Sequence, residues 1–258
     1  MTRRPCLRPT LTLLTAASLV AAPGPSRAAE ALVAVAANFA DAAGTLKAEF
    51  EADTPHALTL TTGATGKLYA QVRTGAPYDV LLAADRKRPA KLAEAGEIVP
   101  GSRFTYAVGR LSLWSHDPDR IPDGGLNALD PAEIDRFAIA NPALAPYGRA
   151  AKQALTHHGL WQRLAPRIVR GENVGQAFSM IATGNAEMGL VATSHAIARD
   201  GGGRRDVAAR AHAPIRQDAV RLRRAADNRA AEAFLRFLRT PAARRVIRRF
   251  GYRVPADG

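Results

Sequence analysis

Short apolar, β-favouring runs recur along this chain, and most are followed by a stretch whose apolar positions return every three or four residues. That alternation predicts an α/β protein with largely parallel sheets. Leu32 to Ala37 reads as the first strand. Asn38 stands as an ordinary cap before a helix whose buried stripe is Phe39, Ala43, Leu46 and Phe50. Leu58 to Thr62 is a second strand, and the helix after Thr65 buries Leu68 and Val72 before Gly75 stops it. Tyr78 to Ala84 is a continuous buried strand, and a short helix opens at Pro89 and closes at Gly96. Phe104 to Val108 and Leu111 to Ser115 are two β runs pinched by Gly109, a candidate crossing between two lobes.

The rhythm then repeats. Strand Phe137 to Ala140 leads through a turn to Tyr147-Gly148 and a helix ending at His157. Strand Arg167 to Arg170 precedes a helix from Val174 to Thr183, and Met188 to Ala192 is another strand. Gly201-Gly202-Gly203 reads as a flexible loop. A β segment, Ile215 to Leu222, runs into a helix carrying Ala230, Phe234 and Phe237. Thr240 and Pro241 then cap and open a last helix that Gly251 ends. No internal repeat is strong enough in the sequence to use.

The opening residues break this pattern. Thr2 to Arg8 is basic, Leu11 to Ala22 is apolar, and Ser26-Arg27-Ala28 supplies small residues at cleavage spacing, which predicts a signal peptide over residues 1–28, cut after Ala28 or Ala29. The apolar run is too short to span a bilayer comfortably. The segment also resembles a twin-arginine export signal with Cys6 in place of Phe, which leaves both export routes open. Cys6 is the chain's single cysteine, so the exported chain is expected to have neither disulfides nor thiolate metal sites and to rely on its apolar core.

The net charge is +13, or +9 once Arg3, Arg4, Arg8 and Arg27 are removed to leave 32 cations against 23 acids. The excess gathers in Arg204-Arg205, Arg221 to Arg224 and Arg244 to Arg249. No nucleic-acid module or aromatic platform accompanies it, so it reads as solvated helix faces and no nucleic-acid partner is expected.

Thr59 to Leu68, TLTTGATGKL, nearly spells a P-loop, but Thr61 stands where its first glycine belongs and Leu68 where its metal-binding hydroxyl belongs. What remains is a strand, a glycine-flanked turn and a helix start that aims N–H groups at one point, a setting for an anion. Similar transitions fall at Ala37-Asn38, at Tyr147-Gly148 and at Asn173-Val174-Gly175. In parallel α/β sheets such positions collect ligands outside the carboxyl ends of the strands. Any α/β protein has such turns, and these residues identify no ligand.

Taken together, AANF at 36–39, GATGKLYAQV at 63–72, GAPYDVLLAAD at 75–85, PGSRFTYAVGRLSLWS at 100–115, NPALAPYG at 141–148 and ENVGQAFS at 172–179 resemble the periplasmic molybdate-binding proteins of ABC transporters. The resemblance runs from Ala31 to Pro255. It implies the type II periplasmic binding protein fold, in which two lobes, each a mainly parallel sheet flanked by helices, are hinged by crossing strands. Residues 30–109 would be lobe I, 110–213 lobe II and 214–258 the return to lobe I. It also implies a periplasmic, non-enzymatic receptor that holds molybdate or tungstate and delivers it to a membrane permease, as a monomer and without a cofactor. Ala37, Asn38, Ala64, Thr65, Tyr147 and Val174 would contact the oxyanion, with no direct ligand to the metal. Some relatives carry hydroxyl residues at the positions of Ala37 and Ala64, so this chain has fewer side-chain donors. A fully ionised tetrahedral dianion needs donors only, and selection against sulfate, of equal charge, must come from cavity size. A receptor for another oxyanion such as sulfate, or a phosphate-handling enzyme built on the glycine turn, are the competing readings.

The remaining polar residues read structurally. Asp79 sits at a strand start and Asp85 at a helix start. His157-His158 face apart on a helix, which does not suit a metal. Ser102, Ser112 and Ser115 lie in no nucleophile elbow. Lys67 and Arg149 read as exposed cations, and Trp114 and Trp161 as packing anchors.

Overall fold

The computed structural model describes residues 2, 28–199 and 201–255, so all but residues 2 and 28 of the predicted export segment lie outside it. The first half runs β1 (Glu30–Ala36), α1 (Ala40–Asp53), β2 (Ala57–Gly63), α2 (Thr65–Arg73), β3 (Val80–Leu82), α3 (Lys87–Glu94) and β4 (Phe104–Gly109). The second runs β5 (Leu111–Ser115), β6 (Phe137–Ala140), α4 (Pro146–His157), α5 (Trp161–Leu164), β7 (Ile168–Gly171), α6 (Val174–Ala182), β8 (Met188–Ala192), α7 (Thr193–Ile197) and β9 (Gly203–Asp206). The chain ends with β10 (Ile215–Arg221), α8 (Arg229–Phe237) and α9 (Pro241–Arg249).

These strands form two five-stranded sheets, ordered β2-β1-β3-β10-β4 and β7-β6-β8-β5-β9. In each, three strands pair in parallel and one strand runs against its neighbours: β10 in the first sheet and β5 in the second. The sheets are therefore mainly parallel, as expected, with one reversed strand in each. The physical reason is the double crossing: the chain leaves the first sheet through Gly109 and returns as β10, and the strand that follows each crossing enters its sheet reversed.

Each lobe buries its own core. The first sheet packs Phe39, Leu46, Phe50 and Phe234 on one face and Leu68, Leu81, Leu92 and Val220 on the other. The second lobe packs Phe137, Leu155, Ile181 and Trp114 together, with the Trp114 ring 4.5 Å from that of Phe178. Trp161 lies beneath Lys152, whose Nζ is 5.1 Å from the ring centre. On α9, Ala243, Val246 and Ile247 face inward while Arg245, Arg248 and Arg249 are exposed. Asp79 accepts from the Leu32 N–H and meets Arg224, a structural use.

Three local expectations change. The helix expected to open at Pro89 begins two residues earlier, at Lys87, with Asp85 Oδ1 accepting from the Arg88 N–H. The continuous strand expected over Tyr78 to Ala84 is only Val80–Leu82. The glycine loop runs directly into β9, which pairs along Leu113, Trp114 and Ser115 of β5 from Gly203 to Arg205.

Candidate functional site

Four helical segments begin at one place between the sheets: a short 3-10 turn, Ala37–Phe39, after β1, α2 after β2, α4 beyond β6, and α6 beyond β7. The first N–H groups of a helix have no acceptor within it and carry its positive end. Ala37 and Asn38 open the turn, Thr65 is the first residue of α2, and Val174 is the first of α6. Pro146, first in α4, has no N–H, so Tyr147 supplies that helix's first donor. All six residues expected at the site, Ala37, Asn38, Ala64, Thr65, Tyr147 and Val174, line a single small cavity of about 10 Å³. No charged side chain lines it. Among the described residues there is also no cluster of side chains suited to hold a metal ion.

The side chains behave differently from the sequence reading. Asn38 does not cap a helix, because the turn and α1 have no side-chain cap. It is buried, and its Nδ2 donates to Gln217 Oε1 at 2.9 Å and to the Tyr252 hydroxyl at 3.0 Å. Both amide hydrogens therefore point into the protein, which leaves the cavity the backbone N–H groups. Thr65 Oγ1 accepts from the Ala84 N–H at 3.0 Å, and its own hydroxyl hydrogen stays available. The cap of α6 is Asn173, whose Oδ1 accepts from the Gln176 N–H at 3.0 Å. The Tyr147 hydroxyl accepts from Gln217 Nε2 at 3.4 Å. Burial pushes the hydroxyls of Tyr106, Tyr147 and Tyr252 up, so all three stay protonated.

The lobes meet across the cavity. The Gly66 N–H donates to the Leu144 carbonyl at 3.0 Å. Lys67 Nζ lies 3.2 Å from Glu172, and Arg149 Nη2 lies 2.9 Å from Asp85. Ser194 Oγ donates to the Asn38 carbonyl at 2.8 Å, and His195 Nε2 lies 3.1 Å from the Ala37 carbonyl. Arg149 is thus paired rather than free, because Asp85, which also binds Arg88, faces it from the other lobe. The sequence reading missed Gln217, Ser194, His195 and Tyr252. Nothing local marks them, since their partners are far away in the chain.

The arrangement has donors and no acid, base or nucleophile in position, which suits capture of an anion rather than turnover. Comparison with known proteins agrees. The family described as bacterial extracellular solute-binding protein matches residues 31–253. The molybdate-binding protein of Rhodobacter capsulatus is 45% identical over 228 residues, covering 88% of this chain and 90% of that protein. Its counterpart from Azotobacter vinelandii is 44% identical over 231 residues, covering 88% and 91%. The solved periplasmic molybdate-binding protein of Azotobacter vinelandii superposes with a TM-score of 0.83 at 39% identity, covering 87% of this chain and 99% of that one. With its two hinged α/β lobes and its match along nearly the whole described length, this chain belongs to the bacterial extracellular solute-binding protein family.

Proposed function

We propose that this protein captures molybdate, and tungstate equally, in the cavity between its lobes and delivers it in the periplasm to the permease of an ABC transporter. The lobes are taken as residues 30–109 with 214–258, and residues 110–213. Two relatives at 44 and 45% identity, each named for molybdate, support the ligand. The observation that carries the reading is a cavity lined by no charged group, on which the starts of four helical segments converge, two from each lobe. Ala37, Asn38, Ala64, Tyr147 and Val174 serve through their backbone, and Thr65 adds its hydroxyl.

Hydrogen bonds to a charged partner contribute about 1.5–3 kcal/mol each, so a handful sustain tight binding after the costs of association. Donors alone also disfavour phosphate, which at neutral pH is partly protonated and presents a hydrogen that finds no acceptor. Sulfate has the right charge and is smaller, so it leaves some donors unmet. Calorimetric titration with molybdate, tungstate, sulfate and phosphate tests the reading. Molybdate and tungstate should bind within about threefold of one another and sulfate at least about a hundredfold more weakly, a gap of about 2.7 kcal/mol. Sulfate binding as tightly as molybdate overturns the ligand assignment.

A further inference from the structure

Behind the cavity lies a buried polar cluster that backbone capture of an anion does not require. Its centre is Gln217, fully buried on β10, the strand by which the chain returns to the first sheet. Gln217 Oε1 accepts from Asn38 Nδ2 at 2.9 Å and lies 3.1 Å from the Tyr106 hydroxyl. Its Nε2 faces the Tyr147 hydroxyl of the other lobe at 3.4 Å. One amide thus holds a cavity residue from each lobe. The register of β10 shifts between Gln217 and Asp218, a bulge that re-aims the side chain next to it.

The opposite wall of this contact is the first crossing. A Cβ on Gly109 would fall 2.1 Å from the Tyr147 hydroxyl and 2.7 Å from Gln217 Nε2, so only glycine lets the tyrosine reach between the crossing strands. Tyr147 therefore reports to two places: its N–H opens onto the cavity, while its hydroxyl is wedged between the strands that must bend when the lobes part. An unpaired buried amide or hydroxyl is costly, so the contact favours one relative placement of the lobes.

We infer that Gln217 is a positioning residue for ligand capture: by binding Asn38 and Tyr147 together at the strand crossing, it couples lobe closure to the placement of N–H donors from both lobes. The inference rests on reading that cavity as the ligand site. It requires Gln217→Met, which keeps approximate volume and removes the amide, to change closure as well as affinity.

The test uses the full chain with Cys6→Ser and spin labels on Glu94→Cys and Glu133→Cys, exposed positions on the two lobes. Interlobe distances are measured with and without saturating molybdate, alongside calorimetry and melting of the ligand-free protein. Gln217→Met should bind molybdate at least about tenfold more weakly, chiefly through faster dissociation, and its liganded distances should broaden toward the open state. Tyr147→Phe should do the same more mildly, and the double variant should be no worse than Gln217→Met, since both changes break one contact. Unchanged distances and affinity, a fall in melting temperature alone, or additive losses would each overturn the inference. If Gln217→Met does not fold, Tyr147→Phe carries the same comparison. If the unsubstituted protein binds no molybdate, the ligand assignment fails separately. The ligand-free distances then decide, and identical distributions for the unsubstituted chain and Gln217→Met overturn the role of Gln217.

Discussion

Thr65 shows how one side chain serves both fold and site. It accepts from the Ala84 N–H at 3.0 Å and is almost fully buried, yet its own hydrogen remains free to donate into the cavity. Thr65→Val keeps the shape, removes that donor and leaves the Ala84 N–H unpaired. Loss of a charge-assisted bond of about 1.5–3 kcal/mol predicts a tenfold to hundredfold weaker molybdate affinity by calorimetry. Thr65→Ser should restore most of it. Arg149→Ala is the contrast. It breaks a partly exposed ion pair to Asp85 outside the cavity, so affinity should fall by no more than about fivefold. A larger loss for Arg149→Ala than for Thr65→Val would mean that an ion pair, not the helix starts, neutralises the anion. The four helix starts were legible because a helix start after a strand is a local pattern, whereas the choice of six residues among them came from the family resemblance. The work of the Asn38 side chain was not legible. Its partners Gln217 and Tyr252 lie 179 and 214 residues along the chain, and a cap and a buried donor look alike in sequence.

At the level of elements, the strands and helices that bury periodic apolar stripes were read to within a few residues, and β5, β6 and β8 fall where expected. What was missed has no such stripe. α7 spans Thr193–Ile197, too short for a helical period, and β9 is Gly-Arg-Arg-Asp, a polar edge that exists only because β5 offers it a partner. The start of α2 makes a sharper point. Gly66 donates across the lobes to Leu144, and a Cβ there would lie 2.7 Å from that carbonyl and 2.8 Å from Arg88 Nη2. Gly66→Ala must then push the lobes apart at the cavity rim while leaving each core untouched. Molybdate affinity should drop about tenfold or more, whereas the ligand-free melting temperature should shift little, because the hydrogen bond and the clash with Leu144, about 1–3 kcal/mol together, belong to the closed state. The flexible Arg88 side chain of the same lobe can swing aside. Equal losses of affinity and ligand-free stability would place the damage inside a lobe instead.

The whole molecule has a symmetry that its sequence hides. The orders β2-β1-β3-β10-β4 and β7-β6-β8-β5-β9 follow one plan, although no repeat is visible in the residues. Such a plan depends on burial pattern and strand direction, which many sequences satisfy, so it survives where identity does not. Two matching lobes place α3 and α7 in corresponding positions, after β3 and β8, and α7 carries His195 against the first lobe. Its Nε2 lies 3.1 Å from the Ala37 carbonyl, which fixes the proton there and leaves Nδ1 buried without a partner. Burial pushes the His195 pKa below the ordinary histidine value, while the Ala37 carbonyl and Asp41 pull it back up. The unfolded chain therefore binds more protons between the depressed folded value and the ordinary value of about 6.5, so stability rises with pH across that window and is lost as pH falls through it. His158, also lowered by burial and by His157 and Arg210, acts in the same direction. The melting temperature should fall between pH 7 and pH 5.5. His195→Gln, which keeps a donor for the Ala37 carbonyl but does not titrate, should flatten that fall without abolishing it. Superimposable pH profiles for the two proteins would show that this buried ring does not carry the pH dependence.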